Sequence, residues 1–163
     1  MAKVGMGYDS HRFAPGRKLM LGGVEIPHDC GLAGHSDADA PLHALVDAML
    51  GAIGAGDIGE AFSDSDPRWK NADSARFVSH ALLLVREAGM AVSNCDITIV
   101  TQAPKLGAFK ARMRERIAQL LGVDASAVNV KAKTNESMGW IGKGEGLAAL
   151  ACVCLEKSDA KGE

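Results

Sequence analysis

Aromatic residues are scarce in this chain of 163 residues: four Phe, two Trp and one Tyr make up 4% of it. A core so poor in rings has to be built from Ala, Leu, Val and Ile. A dominant charge is missing too. Eighteen Lys and Arg against 20 Asp and Glu leave a formal net charge of −2. That excludes a general nucleic-acid binder, though not a nucleotide-sized ligand. No uncharged apolar run of about 18 residues occurs, so no transmembrane helix is expected. The chain reaches Asp9, His11 and Arg12 without an apolar run, and no Arg- and Ser-rich leader precedes them. Neither a signal peptide nor a transit peptide is therefore expected. The four cysteines, Cys30, Cys95, Cys152 and Cys154, form no CxxC pair. Buried free thiols are expected of them, ahead of a disulfide or a structural metal. Together these absences point to the cytoplasm.

What is present describes a globular protein, with 47% hydrophobic and 23% charged residues. The length suits one domain, expected over 1–157, with a polar tail at 158–163. Nineteen glycines imply tight loops or close backbone approaches. Charge is unevenly spread. From Glu25 to Asp73 there are ten acidic residues against Arg68 and Lys70, which reads as a cation site or an acidic surface. From Thr101 to Arg116 five basic residues face Glu115 alone. That stretch reads as a solvated helix face with Lys105 as an anion contact.

Periodicity predicts the elements. Val4, Met6 and Tyr8 alternate with Gly5, Gly7 and Asp9, a strand signal. Lys18–Leu21 and Val24–Ile26 flank Gly22-Gly23, a hairpin. Pro41 can open a helix carrying Leu42, Leu45, Val46, Met49, Leu50 and Ile53 on one stripe. Asp73 or Ser74 can cap a second helix that Gly89 ends. Asp96–Thr101 reads as a strand, Leu106–Leu121 as a helix stopped by Gly122, and Val128–Ala132 as a strand. Leu147–Leu155 is continuously apolar, the pattern of a central strand buried on both sides. The expected fold is an α/β sandwich: one mixed sheet with helices packed on one face.

Five constellations can carry chemistry. Asp9 and His11, two apart on a strand, share a face. His43 lies among Leu42 and Val46 on the predicted helix, with Asp39 and Asp47 on the same flank. A partly buried imidazole there needs a partner. Asp9, His11 and His43 make a three-ligand set of the kind that leaves a zinc position open. A turn aspartate and a surface histidine are the plainer alternative. Gly54-Ala-Gly56-Asp57-Ile58-Gly59 fits GxGxxG, but it follows a helix and no helix is expected to open from it, so a tight loop is the reading. Asp57, Asp64 and Asp66 could contact hydroxyls or a metal, or simply build turns. Thr101-Gln-Ala103-Pro104-Lys105 and Thr134-Asn135-Glu136 follow strands, where α/β folds bind ligands. Lys105 and helix-start amides suit a phosphate, and Glu136 suits Mg²⁺. Finally, Gly139-Trp140-Ile-Gly142-Lys143-Gly144-Glu145-Gly146 is either a hairpin turn or an exposed contact surface. Lys143 and Glu145 are expected to share a strand face there.

Taken together, these segments resemble the 2-C-methyl-D-erythritol 2,4-cyclodiphosphate synthase family over about Val4–Glu156. Tyr8-Asp9-Ser-His11, His35-Ser36-Asp37-Ala-Asp39 to His43, Gly56-Asp57-Ile58-Gly59, Ala103-Pro104-Lys105, Asn129-Val-Lys131-Ala132 and Gly142-Lys143-Gly144-Glu145-Gly146 stand in the family's order. The resemblance implies cyclisation of 4-diphosphocytidyl-2-C-methyl-D-erythritol 2-phosphate with loss of CMP, in the non-mevalonate isoprenoid route of a bacterial cytoplasm. It implies zinc on Asp9, His11 and His43, and Mg²⁺ or Mn²⁺ with Glu136. His35 and Thr134 match stabilisers of the reacting phosphates. Asp57 matches the residue that holds the erythritol hydroxyls, and Ser36, Ile58, Gly59, Phe62, Asp64 and Asp66 match further substrate-binding positions. Thr101, Ala103, Pro104, Lys105, Leu106, Gly107, Lys133 and Asn135 match the cytidine and phosphate pocket. The family is a homotrimer with interfacial sites, so the cytidine segment should come from the neighbouring chain. Its central cavity can hold an isoprenoid diphosphate, near Trp140 and Lys143, which replace an expected Phe and Arg. Lys lacks the bidentate fork of Arg. Lys133 and Asn135 also depart from the smaller or hydroxyl residues expected beside Thr134. The residues by themselves leave two other readings open: a zinc-dependent phosphoester hydrolase and a non-catalytic isoprenoid-phosphate-binding protein.

Overall fold

The computed structural model describes residues 1–62, 69 and 72–158. In chain order the elements are β1 (Lys3–Pro15), β2 (Leu19–Leu21), β3 (Val24–Ile26), β4 (Cys30–Leu32), α1 (Ala40–Ile53), α2 (Ile58–Ala61), α3 (Ala75–Glu87) and β5 (Met90–Val100). They continue with α4 (Lys110–Leu121), β6 (Val128–Lys133), α5 (Gly139–Gly142) and β7 (Gly146–Lys157). Five strands form one mixed sheet in the order β4-β1-β7-β5-β6, and β2 and β3 form a separate hairpin. The β5–β6 pair is parallel and its neighbours are antiparallel. This is the expected mixed-sheet α/β architecture.

The first strand shows why the helix layer sits where it does. Its alternation is real, but glycines rather than large apolar residues face the helix. A Cβ on Gly5 would lie 1.9 Å from the Ala48 carbonyl oxygen, and one on Gly7 would lie 2.0 Å from that of Ala44. With no Cβ in the way, α1 rests directly on β1. Val4, Met6 and Tyr8 are consequently turned to the bare side of the sheet and are exposed.

The same geometry corrects the reading of β7. It is central in the sheet, and Gly146 to Ala149 are all buried, but beyond Ala149 only one of its faces is buried in the chain. Leu150 and Cys152 are exposed, and they lie in register with Tyr8 and Met6. The thiol expectation fails in part for this reason. All four cysteines are free, but only Cys95 is buried.

Other elements follow their local chemistry. Gly54 and Gly122, both left-handed, end α1 and α4. Pro41 stands in the first turn of α1. Asp39 is no member of a polar stripe: it is fully buried and caps α1. It accepts from Leu42 N at 3.1 Å, Gly22 N at 2.8 Å and Gly23 N at 2.6 Å, so it also ties the β2–β3 turn to the helix. Burial pushes its carboxyl up to about 6 despite those three donors. A helix does open from the GxGxxG-like stretch: α2, one short turn capped by Asp57, which accepts from Glu60 N at 2.9 Å. β4 is an edge strand of three residues, too short to show a period. The Gly139–Gly146 stretch opens with one turn of helix, α5 (Gly139–Gly142), and ends at the first residue of β7. Lys143 caps that turn and Glu145 precedes β7, so the two do not share a strand face.

Candidate functional site

Two neighbouring residues of β1 and one of α1 converge because the glycines of β1 bring the helix so close. Asp9 Oδ2 lies 2.8 Å from His11 Nε2 and 3.1 Å from His43 Nδ1, and the two ring nitrogens are 3.3 Å apart. One ligand atom from each residue can be chosen so that all lie within 4.8 Å of one another. His11 Nδ1 is 2.7 Å from the Ala33 carbonyl oxygen. A carbonyl only accepts, so Nδ1 carries the hydrogen and Nε2 faces the cluster. Two imidazoles and a carboxylate with ligand atoms this close fit a divalent metal.

The electrostatics are those of a tight cluster. Burial works against the charge of Asp9. The hydrogen bonds and charges of His11 and His43 outweigh it and hold the carboxyl well below the usual range. Burial likewise disfavours protonated His11, but the Asp9 carboxylate prevails and raises its pKa. Asp47, one turn further along α1, does not join the triad. It accepts from Ile58 N at 2.8 Å, and burial pushes its carboxyl up.

The triad lines a cleft of about 240 Å³ together with Gly34, His35, Ser36, Ile58, Gly59, Phe62, Trp69 and Phe77. A second cleft, of about 230 Å³, is lined by Thr101, Gln102, Pro104, Lys105, Leu106, Gly107, Lys110, Ala132, Lys133 and Thr134. It sits where the parallel strands β5 and β6 end side by side, with Thr101 N donating to the Lys133 carbonyl at 2.9 Å. Among the described residues the two clefts share no lining residue.

Most residues singled out in the sequence fall at these two places. His35, Ser36, Ile58, Gly59 and Phe62 line the first cleft with the triad, and Thr101, Pro104, Lys105, Leu106, Gly107, Lys133 and Thr134 line the second. Ala103, joined to Pro104 by a cis peptide, accepts from the Thr101 hydroxyl. Asn135 folds back to the Met138 carbonyl at 2.8 Å. Glu136 accepts from the Thr134 hydroxyl at 3.0 Å and is outside the triad. Asp57 caps α2 at the edge of the first cleft, while Trp140 and Lys143 belong to neither cleft and are exposed. Asp64 and Asp66 lie outside the described residues.

Several residues could not be read from the sequence as neighbours of the site. Trp69 and Phe77, with rings 5.3 Å apart, wall the first cleft. Arg17 donates to the Gly34 carbonyl at 2.7 Å and also to that of Ser36, clasping the loop that carries His35. Ser74, 31 residues beyond His43, has its hydroxyl 2.9 Å from His43 Nε2. No periodicity connects residues that far apart.

The YgbB family matches residues 2–156. The chain is 57% identical over 153 residues to a bifunctional enzyme IspD/IspF of Novosphingobium aromaticivorans, which covers 94% of this chain and 40% of that enzyme. It is 52% identical over 160 residues to the 2-C-methyl-D-erythritol 2,4-cyclodiphosphate synthase of Geobacillus thermodenitrificans, covering 98% of this chain and all of that one. A solved structure of a 2C-methyl-D-erythritol-2,4-cyclodiphosphate synthase in its CDP-bound form superposes with a TM-score of 0.88 at 36% identity, over 94% of this chain and 100% of that one. The chain thus spans about two-fifths of the bifunctional relatives and 92–100% of the single-function ones.

Proposed function

Since the chain belongs to the YgbB family, we propose that it converts 4-diphosphocytidyl-2-C-methyl-D-erythritol 2-phosphate to 2-C-methyl-D-erythritol 2,4-cyclodiphosphate, as a phosphorus–oxygen lyase of isoprenoid precursor synthesis in the cytoplasm. An oxygen of the 2-phosphate attacks the β-phosphorus. The bond from that phosphorus to the bridging oxygen breaks, and CMP leaves with the electron pair. The nucleophile is already an anion, so no general base is required of the protein. The observation that carries this reading is the Asp9–His11–His43 triad, with ligand atoms within 4.8 Å of one another, in the lining of a cleft of about 240 Å³.

Bound divalent cations, zinc at the triad and magnesium or manganese beside Glu136, supply charge neutralisation and alignment of the attacking and leaving oxygens. The remaining work belongs to side chains. His35 and Thr134 hold phosphate oxygens at the reacting centre. Asp57 holds the erythritol hydroxyls at the start of α2, with Ser36, Ile58, Gly59 and Phe62 on the same side of the substrate, and Asp64 and Asp66 are assigned to substrate binding as well. The Thr101–Gly107 loop receives the cytidine nucleotide, with Lys105, Lys133 and Asn135 near its phosphates. CDP in the related structure fits this assignment.

Two clefts that share no residue within a chain suit a homotrimer in which one protomer's nucleotide cleft meets its neighbour's triad. The bare sheet face of Val4, Met6, Tyr8, Leu150 and Cys152 is the apolar surface such an assembly would cover. Lys143 and Trp140 then lie near the axis, where an isoprenoid diphosphate would bind.

The test is incubation of the purified protein with the cytidylyl substrate, with and without chelator, followed by ³¹P NMR. Stoichiometric CMP and a cyclic diphosphate, both lost with chelator and restored by zinc plus magnesium, are expected. A linear phosphate product would instead make it a hydrolase.

A further inference from the structure

His43 uses both ring nitrogens. Nδ1 faces Asp9 and His11, while Nε2, on the other side of the ring, faces two serines. There it meets Ser74 Oγ at 2.9 Å and Ser36 Oγ at 3.2 Å. Ser74 is fully buried, and its hydroxyl donates to Asp37 Oδ1. Its backbone N–H donates to Asp37 Oδ2 at 3.2 Å, so the carboxylate grips the serine by two bonds. Asp37 comes from the loop before α1 and Ser74 from the start of α3. The contact therefore joins two segments far apart in sequence, directly behind the triad.

The direction of each bond follows from what each group can do. An ionised carboxylate accepts and cannot donate, so the Ser74 hydrogen must point at Asp37. The lone pairs of Ser74 then face His43, and Nε2 must be the donor. Ser36 Oγ, which already accepts from Ala38 N at 3.0 Å, offers the same N–H a second acceptor. With its hydrogen on Nε2, neutral His43 has its free lone pair on Nδ1, the atom aimed at the triad. We propose that Asp37 and Ser74 are positioning residues that lock His43 in the Nε2–H tautomer and hold Nδ1 ready for a divalent metal. Outer partners of this kind fix ring orientation as well as tautomer, and their loss commonly costs 10- to 100-fold in metal affinity.

The inference rests on Asp9, His11 and His43 being the metal site, but not on which reaction that metal serves. Its test reads metal binding. Purified full-length wild type, Ser74→Ala, Ser74→Thr and Asp37→Asn are stripped of metal and titrated with Zn²⁺ against a chromophoric chelator. Ser74→Ala is expected to weaken binding about 10- to 100-fold, whereas Ser74→Thr, which keeps the hydroxyl, stays near wild type. Ser74→Ala combined with Asp37→Asn should bind no worse than Ser74→Ala alone, because Asp37 acts through Ser74. Independently, ¹⁵N NMR of metal-free wild type at pH 8 should show the His43 hydrogen on Nε2, so a poorly folded variant cannot hide the answer. Wild-type affinity in Ser74→Ala, fully additive losses in the double variant, or an Nδ1–H tautomer would overturn the proposal. Failure of wild type itself to bind zinc would overturn the metal-site reading instead.

Discussion

At the scale of single residues, the triad behaves differently with and without metal. Asp9 is held low and His11 is held high by the same pairing. The depressed carboxyl contributes stability above its unfolded value near pH 3.9, which is lost as pH falls toward its folded value. The raised imidazole contributes stability below about pH 6.5, which is lost as pH rises through its folded value. Metal-free protein should therefore gain most from this pair between about pH 4 and 6.5. Melting wild type and Asp9→Asn across pH checks this: the gap in midpoint should peak in that window and shrink on both sides. Metal binding runs the other way, because His11 must give up a proton, so affinity should rise with pH. His43→Ala removes a ligand that no other residue of the cluster replaces among the described residues. Zinc content should fall to background and turnover by at least about a thousandfold, a loss of roughly 4 kcal/mol in transition-state stabilisation. The fold should persist at a cost of about 1–3 kcal/mol for the space and the stranded polar partners. Elemental analysis beside a melting curve separates the two effects.

The elements make the site possible by how closely they pack, and here one atom decides. Gly7 lies two residues before Asp9 and beneath the first half of α1, whose backbone a Cβ would strike at 2.0 Å. Neither backbone can yield without moving His43 away from Asp9. Gly7→Ala is expected to cost at least about 3 kcal/mol, at the upper end of overpacking, and to weaken zinc binding without touching a ligand. Urea unfolding with a parallel zinc titration measures both. This element also shows what a sequence discloses. The period of β1 is visible in Val4, Met6, Tyr8 and their alternating glycines, because side chains of a strand must alternate. Which face meets the helix is not visible, because bulk apolar residues suit either a core or a subunit contact. Asp9, His11 and His43 could be grouped because strand and helix periods put each on a definable face. Asp39 could not be separated from the polar flank, since its partners Gly22 and Gly23 come from a distant hairpin. Ser74 could be read as a helix cap but not as the neighbour of His43, because that contact exists only once α3 has folded onto α1.

For the whole molecule, the bare side of the sheet asks for a partner. Met6, Tyr8 and Leu150 are 77%, 54% and 39% exposed in the isolated chain, with Cys152 between them in register. Covering such a face with two further copies follows from the interfacial site proposed above. Met6 is the place to test it, because it points away from α1 and touches neither cleft. Met6→Asp would set a carboxylate on each contacting face, where burying it without a partner costs several kcal/mol. The variant should sediment as a monomer, keep one zinc per chain and lose cyclase activity, since each triad would lack its neighbour's nucleotide cleft. Thiol labelling gives a second view of the same event. Cys152 should be protected in the wild-type assembly and react quickly in Met6→Asp. Cys95, whose thiol burial pushes up to about 12, should stay silent in both until the chain unfolds. A Met6→Asp protein that remained trimeric, or a monomer that kept full activity, would detach the sheet face from the assembly of the active site.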